Sequence, residues 1–125
     1  MKAQVAMEFL ALVGVMLLIF MTFLLVITDQ GIRIAATKEE LVVEDIANSI
    51  QKEILTAASV QDGYRRNFTI PYQVQGINYT LQQGNQSFIV TSKRKSAARK
   101  IPPVVGMIFI GSNMVSKHNG TIYLN

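Results

Sequence analysis

The sequence predicts an α+β protein in which a long N-terminal α-helix packs against a small antiparallel β-sheet of four or five strands. Two observations predict this fold. Residues 4 to about 60 contain no proline, and their apolar residues first run continuously and then recur at helical spacing. After Gly63, polar and apolar residues alternate in short stretches separated by turn-forming residues, which is typical of antiparallel strands.

The first half of the predicted helix is apolar on every side. Twenty residues from Phe9 to Thr28 carry no charge. At about 1.5 Å per residue such a helix spans about 30 Å, the thickness of the hydrocarbon core of a bilayer. The apolar region of an ordinary cleaved signal peptide is shorter, and the nearest pair of small residues here is Ala35-Ala36. The pattern therefore favours a membrane segment, with signal cleavage near Ala36 as the alternative.

The second half of the predicted helix is amphipathic. Thr28–Gly31 predicts a bend where the chain leaves the apolar environment, and Asp62-Gly63 predicts the end of the helix. The repeating apolar face is the only surface in the chain that can cover a sheet with one apolar side. This face comprises Ile32, Ala36, Val43, Ile46, Ile50, Ile54 and Ala57.

The remaining 63 residues predict short strands joined by turns. The predicted turns are Gln82–Asn85 and Asn119-Gly120, and Lys93–Lys100 is predicted to be a basic loop. The predicted strands lie in Asn67–Ile70, Val74–Leu81, Ser87–Thr91, Val104–Ile110 and Thr121–Leu124.

The composition argues against most enzymes. The chain has no cysteine, which excludes a disulfide scaffold, a zinc finger and an iron–sulfur site. A single histidine, His118, leaves little scope for histidine-based metal or acid–base sites. We expect no cofactor and no catalytic activity.

The most specific signal is in the first twelve residues, MKAQVAMEFLAL. Gln4, Ala6, Glu8 and Leu12 follow the pattern Q-x-S-x-E-x-x-x-L, with Ala6 in the serine position. This resembles the class III signal peptide of archaeal type IV pilins and pilin-like proteins. In that family a dedicated peptidase cuts just before the glutamine, and the apolar helix is retained. The resemblance implies a cut between Ala3 and Gln4.

With this resemblance, the chain divides into four segments. These are a leader peptide at 1–3, a transmembrane or filament-core helix at 4–28, an amphipathic helix at 29–62 and an antiparallel β head domain at 63–125. The resemblance implies a precursor in the archaeal cell membrane and a mature surface filament, a helical homopolymer that serves in adhesion. It also implies three partners: a leader peptidase, an assembly ATPase and a membrane platform protein.

Glu8 lies where the apolar run begins, and two roles for it are open. An ionised carboxylate near the bilayer centre costs about 2.5–3.5 kcal/mol. At the mouth of the span it would cost less and would complement the helix dipole. After a cut before Gln4, Glu8 would lie four residues from the new α-amino group, on the same helical face. In a water-poor bundle of such helices, pairing of the carboxylate with an amine would fix the register between subunits.

Four Asn-x-Ser/Thr triplets follow residue 63, and none occurs before it. Such a cluster suggests an exported, glycosylated surface, although turn chemistry and threonine-rich strands also produce these triplets. Asn85 and Asn119 are the better candidates because they lie at predicted turns. The candidate N-glycosylation residues are Asn67, Asn78, Asn85 and Asn119.

The charges are segregated along the chain. Residues 29–62 carry seven acids and three bases, a net charge of −4, whereas residues 63–125 carry eight bases and no acid, a net charge of +8. Three interpretations of this segregation are open. The basic residues could form a solvated loop, or the basic sheet of one subunit could attract the acidic helix of another. They could also contact anionic polysaccharide or, without sequence specificity, DNA. The predicted basic surface loop contributes Lys93, Arg94, Lys95, Arg99 and Lys100.

Two other functions remain open beside a filament subunit. One is a single-pass membrane-anchored protein that never polymerises and presents an extracellular β-sheet binding module. The other is a secreted domain, released near Ala36, that binds anionic polymers.

Overall fold

A computed structural model describes all 125 residues and confirms the α+β class. One helix, α1 (Lys2–Ser59), packs against two four-stranded sheets. The chain forms two compact units, Met1–Ala35 and Ala36–Asn125, and we call the second unit the head. The strands are β1 (Arg65–Ile70), β2 (Gln73–Val74), β3 (Ile77–Gln83), β4 (Ser87–Ser92), β5 (Ser96–Lys100), β6 (Val104–Val105), β7 (Gly111–His118) and β8 (Thr121–Leu124).

Helix α1 continues through the segment where a bend was expected and ends slightly earlier than predicted. Residues 28–31 are helical, and the helix ends at Ser59 rather than at residue 62. The Thr28 hydroxyl donates to the Leu24 carbonyl at 2.9 Å, and Arg33 Nε donates to Asp29 Oδ2 at 3.0 Å. These polar side chains find partners one turn away, so the end of the apolar run does not interrupt the helix.

The C-terminal part of α1 buries the face that the periodicity predicted. Five of the seven predicted residues are buried, while Ile32 is exposed and Ala36 is only half-buried. The sheets cover the helix only within the head, so the apolar repeat extends further toward the N-terminus than the burial does. The buried helix residues are Val42, Val43, Ile46, Ala47, Ile50, Ile54 and Ala57.

The strands form two sheets instead of the single sheet that was expected. The first sheet has the order β1-β7-β8-β6 and the second has the order β2-β3-β4-β5. All pairs are antiparallel except β6 and β8, where Val104 lies opposite Ile122 in a parallel pair. The connection that a parallel pair needs is supplied here by the segment containing β7, whereas β1 joins the same sheet through an antiparallel pair with β7.

Two hairpins have an Asn-Gly or Gln-Gly turn. One of them was predicted from the sequence and the other was not. Asn119 and Gly120 both have positive φ, 49° and 74°, and join β7 to β8 as predicted. Gln75 and Gly76, at 50° and 81°, form a second turn that splits the predicted strand Val74–Leu81 into β2 and β3. Positive φ at both central residues is the type I′ geometry that matches the twist of paired strands.

Three strand predictions in the C-terminal half were wrong in detail. The predicted loop Lys93–Lys100 contains strand β5, in which Ala97 is buried although the surrounding segment is mostly basic and exposed. Only the first two residues of Val104–Ile110 form a strand. Strand β7 was missed because its inward residues, Gly111, Asn113 and Val115, do not form an apolar alternation.

The core of the head lies between α1 and the inner faces of both sheets. Its largest fully buried apolar side chains are those of Phe88, Ile54, Leu124, Val43, Val90 and Val115.

Tyr79 is a buried tyrosine in β3 whose hydroxyl donates to the Pro71 carbonyl. Burial raises the pKa of the Tyr79 phenol above its ordinary value of 10.0, because desolvation disfavours the phenolate. The folded state therefore holds this proton more tightly than the unfolded state. The resulting stability is fully present below about pH 10 and is lost as the pH rises through the folded-state pKa.

We expect Tyr79→Phe to lower the free energy of unfolding at neutral pH by about 1 kcal/mol, because one hydrogen bond is lost. The variant should also lose less stability than the parent between pH 8 and pH 11. Urea unfolding of the full chain in detergent micelles at the two pH values measures both effects. Tyr72→Phe is the matched control, because Tyr72 is exposed. Equal pH dependence in Tyr79→Phe and the parent would contradict this assignment.

Candidate assembly helix and basic surface

The N-terminal unit exposes nearly all of its apolar surface. Every residue from Met1 to Ala35 is exposed, and the uncharged run has none of its residues buried. The helix is long and apolar enough to cross a membrane or to act as a signal. Soluble proteins rarely leave an apolar surface of this extent uncovered. Either lipid or other protein must therefore cover this helix.

The two hydroxyl groups in the uncharged run are satisfied within the helix. Thr22 donates to the Leu18 carbonyl at 2.8 Å, and Thr28 donates to the Leu24 carbonyl at 2.9 Å. Hydroxyl groups in a water-free environment need such partners. The run therefore presents only apolar atoms and satisfied polar groups to its surroundings.

The predicted cleavage site and Glu8 lie on the exposed start of α1. The helix begins at Lys2, so the bond between Ala3 and Gln4 is in its first turn. Glu8 lies beyond that turn, and the first turn holds no acidic residue. Since a helix dipole acts mainly on charges in the first turn, Glu8 complements it weakly in the full-length chain. Removal of residues 1–3 would bring Glu8 close to the new helix start.

The head exposes all four candidate glycosylation residues. Asn85 and Asn119 lie in turns, as predicted from the sequence. Asn67 lies in β1 and Asn78 lies in β3, and both occupy exposed positions of those strands. All four asparagines are therefore exposed to solvent.

The turn between β4 and β5 contacts the acidic part of α1 in the same chain. Lys95 Nζ donates to Glu40 Oε2 at 2.8 Å, and Arg94 Nε lies 4.0 Å from Glu39 Oε1. Ser92 Oγ also donates to Glu39 Oε2 at 3.1 Å. The segregated charges of the sequence thus meet within one chain at this turn.

The other predicted loop residues are divided between a strand and the solvent. Arg99 and Lys100 lie in β5 rather than in a loop, and Arg99 Nε donates to Asn48 Oδ1 at 2.9 Å. Lys100 contacts α1 through its backbone, because Gln51 Nε2 donates to the Lys100 carbonyl at 2.8 Å. Lys93 is exposed. Of the five predicted residues, Lys93 and Lys100 leave their ammonium groups to solvent.

Lys117, in β7, holds the C-terminal end of α1. Its ammonium donates to the carbonyls of Ala58 and Val60, both at 2.7 Å. The last turn of the helix has no basic residue of its own. Lys117 therefore supplies the positive charge that the carboxyl end of a helix favours, and it satisfies carbonyls that have no partner within the helix. The sequence did not single out this residue.

Two further surfaces of the head were not predicted. A groove of about 300 Å³ lies between α1 and the segment from β1 to β2. Val105, in β6, and Met107 and Phe109, in the loop between β6 and β7, are exposed, although the sequence predicted a strand throughout Val104–Ile110. No group of three or more His, Cys, Asp or Glu side chains is arranged to hold a metal ion.

No protein-family model matches the chain, and neither does any curated protein or solved structure.

We expect Lys117→Met to destabilise the head by about 1–3 kcal/mol, because two carbonyls lose a charged donor at the helix end. Lys100→Met is the matched control. Because Lys100 is exposed in β5, it should change stability by less than about 0.5 kcal/mol. Urea unfolding of the full chain in detergent micelles, followed by circular dichroism, compares the two. Equal effects from the two substitutions would show that Lys117 does not hold the helix end.

Proposed function

We propose that the chain is a structural subunit of an archaeal type IV pilus-like surface filament that serves in adhesion. It is inserted in the membrane, trimmed between Ala3 and Gln4, and polymerised through its N-terminal helix. The observation that carries this proposal is the exposed apolar surface of residues 1–35, in which no side chain is buried. In a filament, copies of the same helix would cover that surface.

The polar pattern of the helix supports polymerisation after trimming. Its threonine hydroxyls form hydrogen bonds within the helix. Neighbouring helices therefore do not have to supply hydrogen-bond partners along the apolar run. Glu8 is the one acidic residue before Asp29. After trimming, it pairs with the α-amino group of its own chain or of a neighbour, and an unpaired charge in such a bundle is strongly disfavoured. This pairing sets the axial register of the subunits.

The head forms the outer surface of the filament under this proposal. Its four exposed asparagine triplets accept glycans, and its exposed bases contact anionic polysaccharide or, without sequence specificity, DNA. A leader peptidase, an assembly ATPase and a membrane platform protein are the partners that the motif resemblance implies. We propose a structural role without catalysis and without a cofactor.

The same exposed helix also supports a second function, a single-pass anchored protein that never polymerises. Lipid covers an apolar helix as well as other helices do, because both are equally apolar. In that case the head would be an extracellular binding module. A secreted anionic-polymer-binding domain released near Ala36 is a third possibility and would require removal of the whole exposed helix.

The N-terminus and intact mass of the protein from its native envelope separate these functions. We expect a chain that begins at Gln4 and retains the apolar helix, with excess mass wherever the asparagine triplets are glycosylated. A chain that still begins at Met1 would favour the simple anchor. A chain that begins near Thr37 would mean that the helix is only a signal.

We expect Glu8→Gln to leave membrane insertion intact and to reduce filament yield by at least about tenfold, because the charge that sets the register is lost. Asp29→Asn is the matched control. It removes a carboxylate from the same helix that already pairs with Arg33 at 3.0 Å. Filaments sheared from cells are counted by electron microscopy, and membrane-bound subunit is quantified by immunoblot. Normal filament yield from Glu8→Gln would rule out the register role.

A further inference from the structure

The turn between β7 and β8 contains the one asparagine of the chain that is followed by a glycine, Asn119-Gly120. In such a dipeptide the glycine nitrogen can attack the side-chain carbonyl of the asparagine, because glycine has no side chain that hinders the approach. Both residues are exposed, and no atom outside the turn lies within 4 Å of the position that a Cβ of Gly120 would occupy. Packing therefore does not block the reaction.

The reaction converts Asn119 to an acid without an enzyme. The Gly120 nitrogen loses its proton to solvent and forms a bond to Asn119 Cγ. The bond from Cγ to Nδ2 then breaks, and the nitrogen leaves as ammonia after it takes up a proton from solvent. Water opens the resulting succinimide ring at either carbonyl, which gives aspartate or isoaspartate. Because the nucleophile is the deprotonated nitrogen, a group that holds its proton slows the first step.

The carboxylate of Asp62 holds that proton in the structure. The Gly120 amide donates to Asp62 Oδ1 at 2.9 Å, although the two residues are 58 positions apart in the chain. A hydrogen bond to an ionised carboxylate is stronger than one between neutral groups. The charge of the carboxylate also opposes deprotonation of the nitrogen, since that step creates a second negative charge beside the first. Asp62 therefore acts against the attack in two ways.

The position of Asp62 is fixed by the residues that follow it. The Gly63 amide donates to the Lys117 carbonyl, and the Lys117 amide donates to the Tyr64 carbonyl, both at 2.9 Å. The Lys117 ammonium also binds two carbonyls at the end of α1, both at 2.7 Å. The segment around Asp62 is thus tied to the end of β7, which keeps the carboxylate beside the turn.

The backbone of the turn adds a second restraint. Asn119 and Gly120 have φ values of 49° and 74°, and the strands on either side pair up to His118 and Thr121. Attack requires the reacting atoms to lie about 3–3.5 Å apart in the correct orientation. The paired strands limit the backbone rotations by which the turn can reach such an arrangement.

We propose that Asn119 is a deamidation site of this protein and that Asp62 preserves the asparagine in the folded state. The reaction proceeds in the fraction of molecules in which the Gly120 amide has left Asp62. The product places a second carboxylate in the turn, and the two negative charges repel each other. It also lacks the side-chain nitrogen to which a glycan would attach. The inference does not depend on whether the chain forms filaments.

Peptide mapping by mass spectrometry tests the proposal on the full-length chain, kept in detergent micelles at mildly alkaline pH. Trypsin cleavage after Lys117 releases residues 118–125, and fragmentation of this peptide separates a change at Asn119 from one at Asn125. The measured quantity is the rate at which aspartate and isoaspartate appear at position 119.

We expect Asp62→Ala to deamidate at Asn119 about three- to tenfold faster than the parent, the rate ratio that corresponds to the loss of one hydrogen bond. Asp62→Asn keeps an acceptor oxygen without the charge and should accelerate the reaction less than Asp62→Ala does. Asp45→Ala is the matched control and should match the parent, because Asp45 is an exposed carboxylate at the groove rather than at the turn. The parent unfolded in guanidinium should react at least about tenfold faster than the folded parent.

Four results would overturn the proposal. Equal rates in Asp62→Ala and the parent would show that Asp62 does not protect Asn119. A slower rate in Asp62→Ala would show that the carboxylate acts as a base that promotes the attack. An intact Asn119 in the unfolded parent would show that the site is not labile. Asn85 lies in another exposed turn and serves as the internal reference. An equal acceleration at Asn85 in Asp62→Ala would mean that the substitution loosens the whole head, which would reject a specific role for Asp62.

Discussion

The burial of one face of α1 between the two sheets is the constraint on which the head depends. Two small four-stranded sheets, each with a two-residue strand at one edge, would form only a marginal core alone. Seven residues of α1 supply the missing apolar face. Each fully buried aliphatic side chain contributes about 1.5–3 kcal/mol, whereas an exposed ion pair contributes about 0–1 kcal/mol. The apolar face therefore holds the head together, and the ion pairs at its edges only orient the parts.

Charge serves a different purpose in this molecule. The acidic side of α1 and the basic strands meet within one chain at the β4–β5 turn and at Arg66 with Glu53. These contacts fix where the strands lie along the helix rather than how strongly they bind it. The bases that remain in solvent, such as Lys93 and Lys100, are the ones available to other molecules.

The two units of the chain differ in how their apolar residues are covered. The head buries its own apolar face and exposes nine large apolar side chains, among them those of Met107 and Phe109. Residues 1–35 bury nothing and depend on lipid or on other copies for cover.

The sequence by itself determined the α+β class, the apolar helix, the main buried face of α1, the Asn119-Gly120 hairpin and the leader-like pattern around Gln4 and Glu8. These features depend on local periodicity and turn chemistry, which are visible in neighbouring residues. Only the tertiary structure decided the rest. Strand β7 could not be recognised from its sequence, because one of its inward residues is the polar Asn113. The folded chain tolerates the burial of Asn113 because Phe109 and Asn125 form hydrogen bonds with its side chain. Likewise, Lys117 reaches the helix end, and the residues after Val105 form a loop rather than a longer strand, through contacts between segments far apart in the chain.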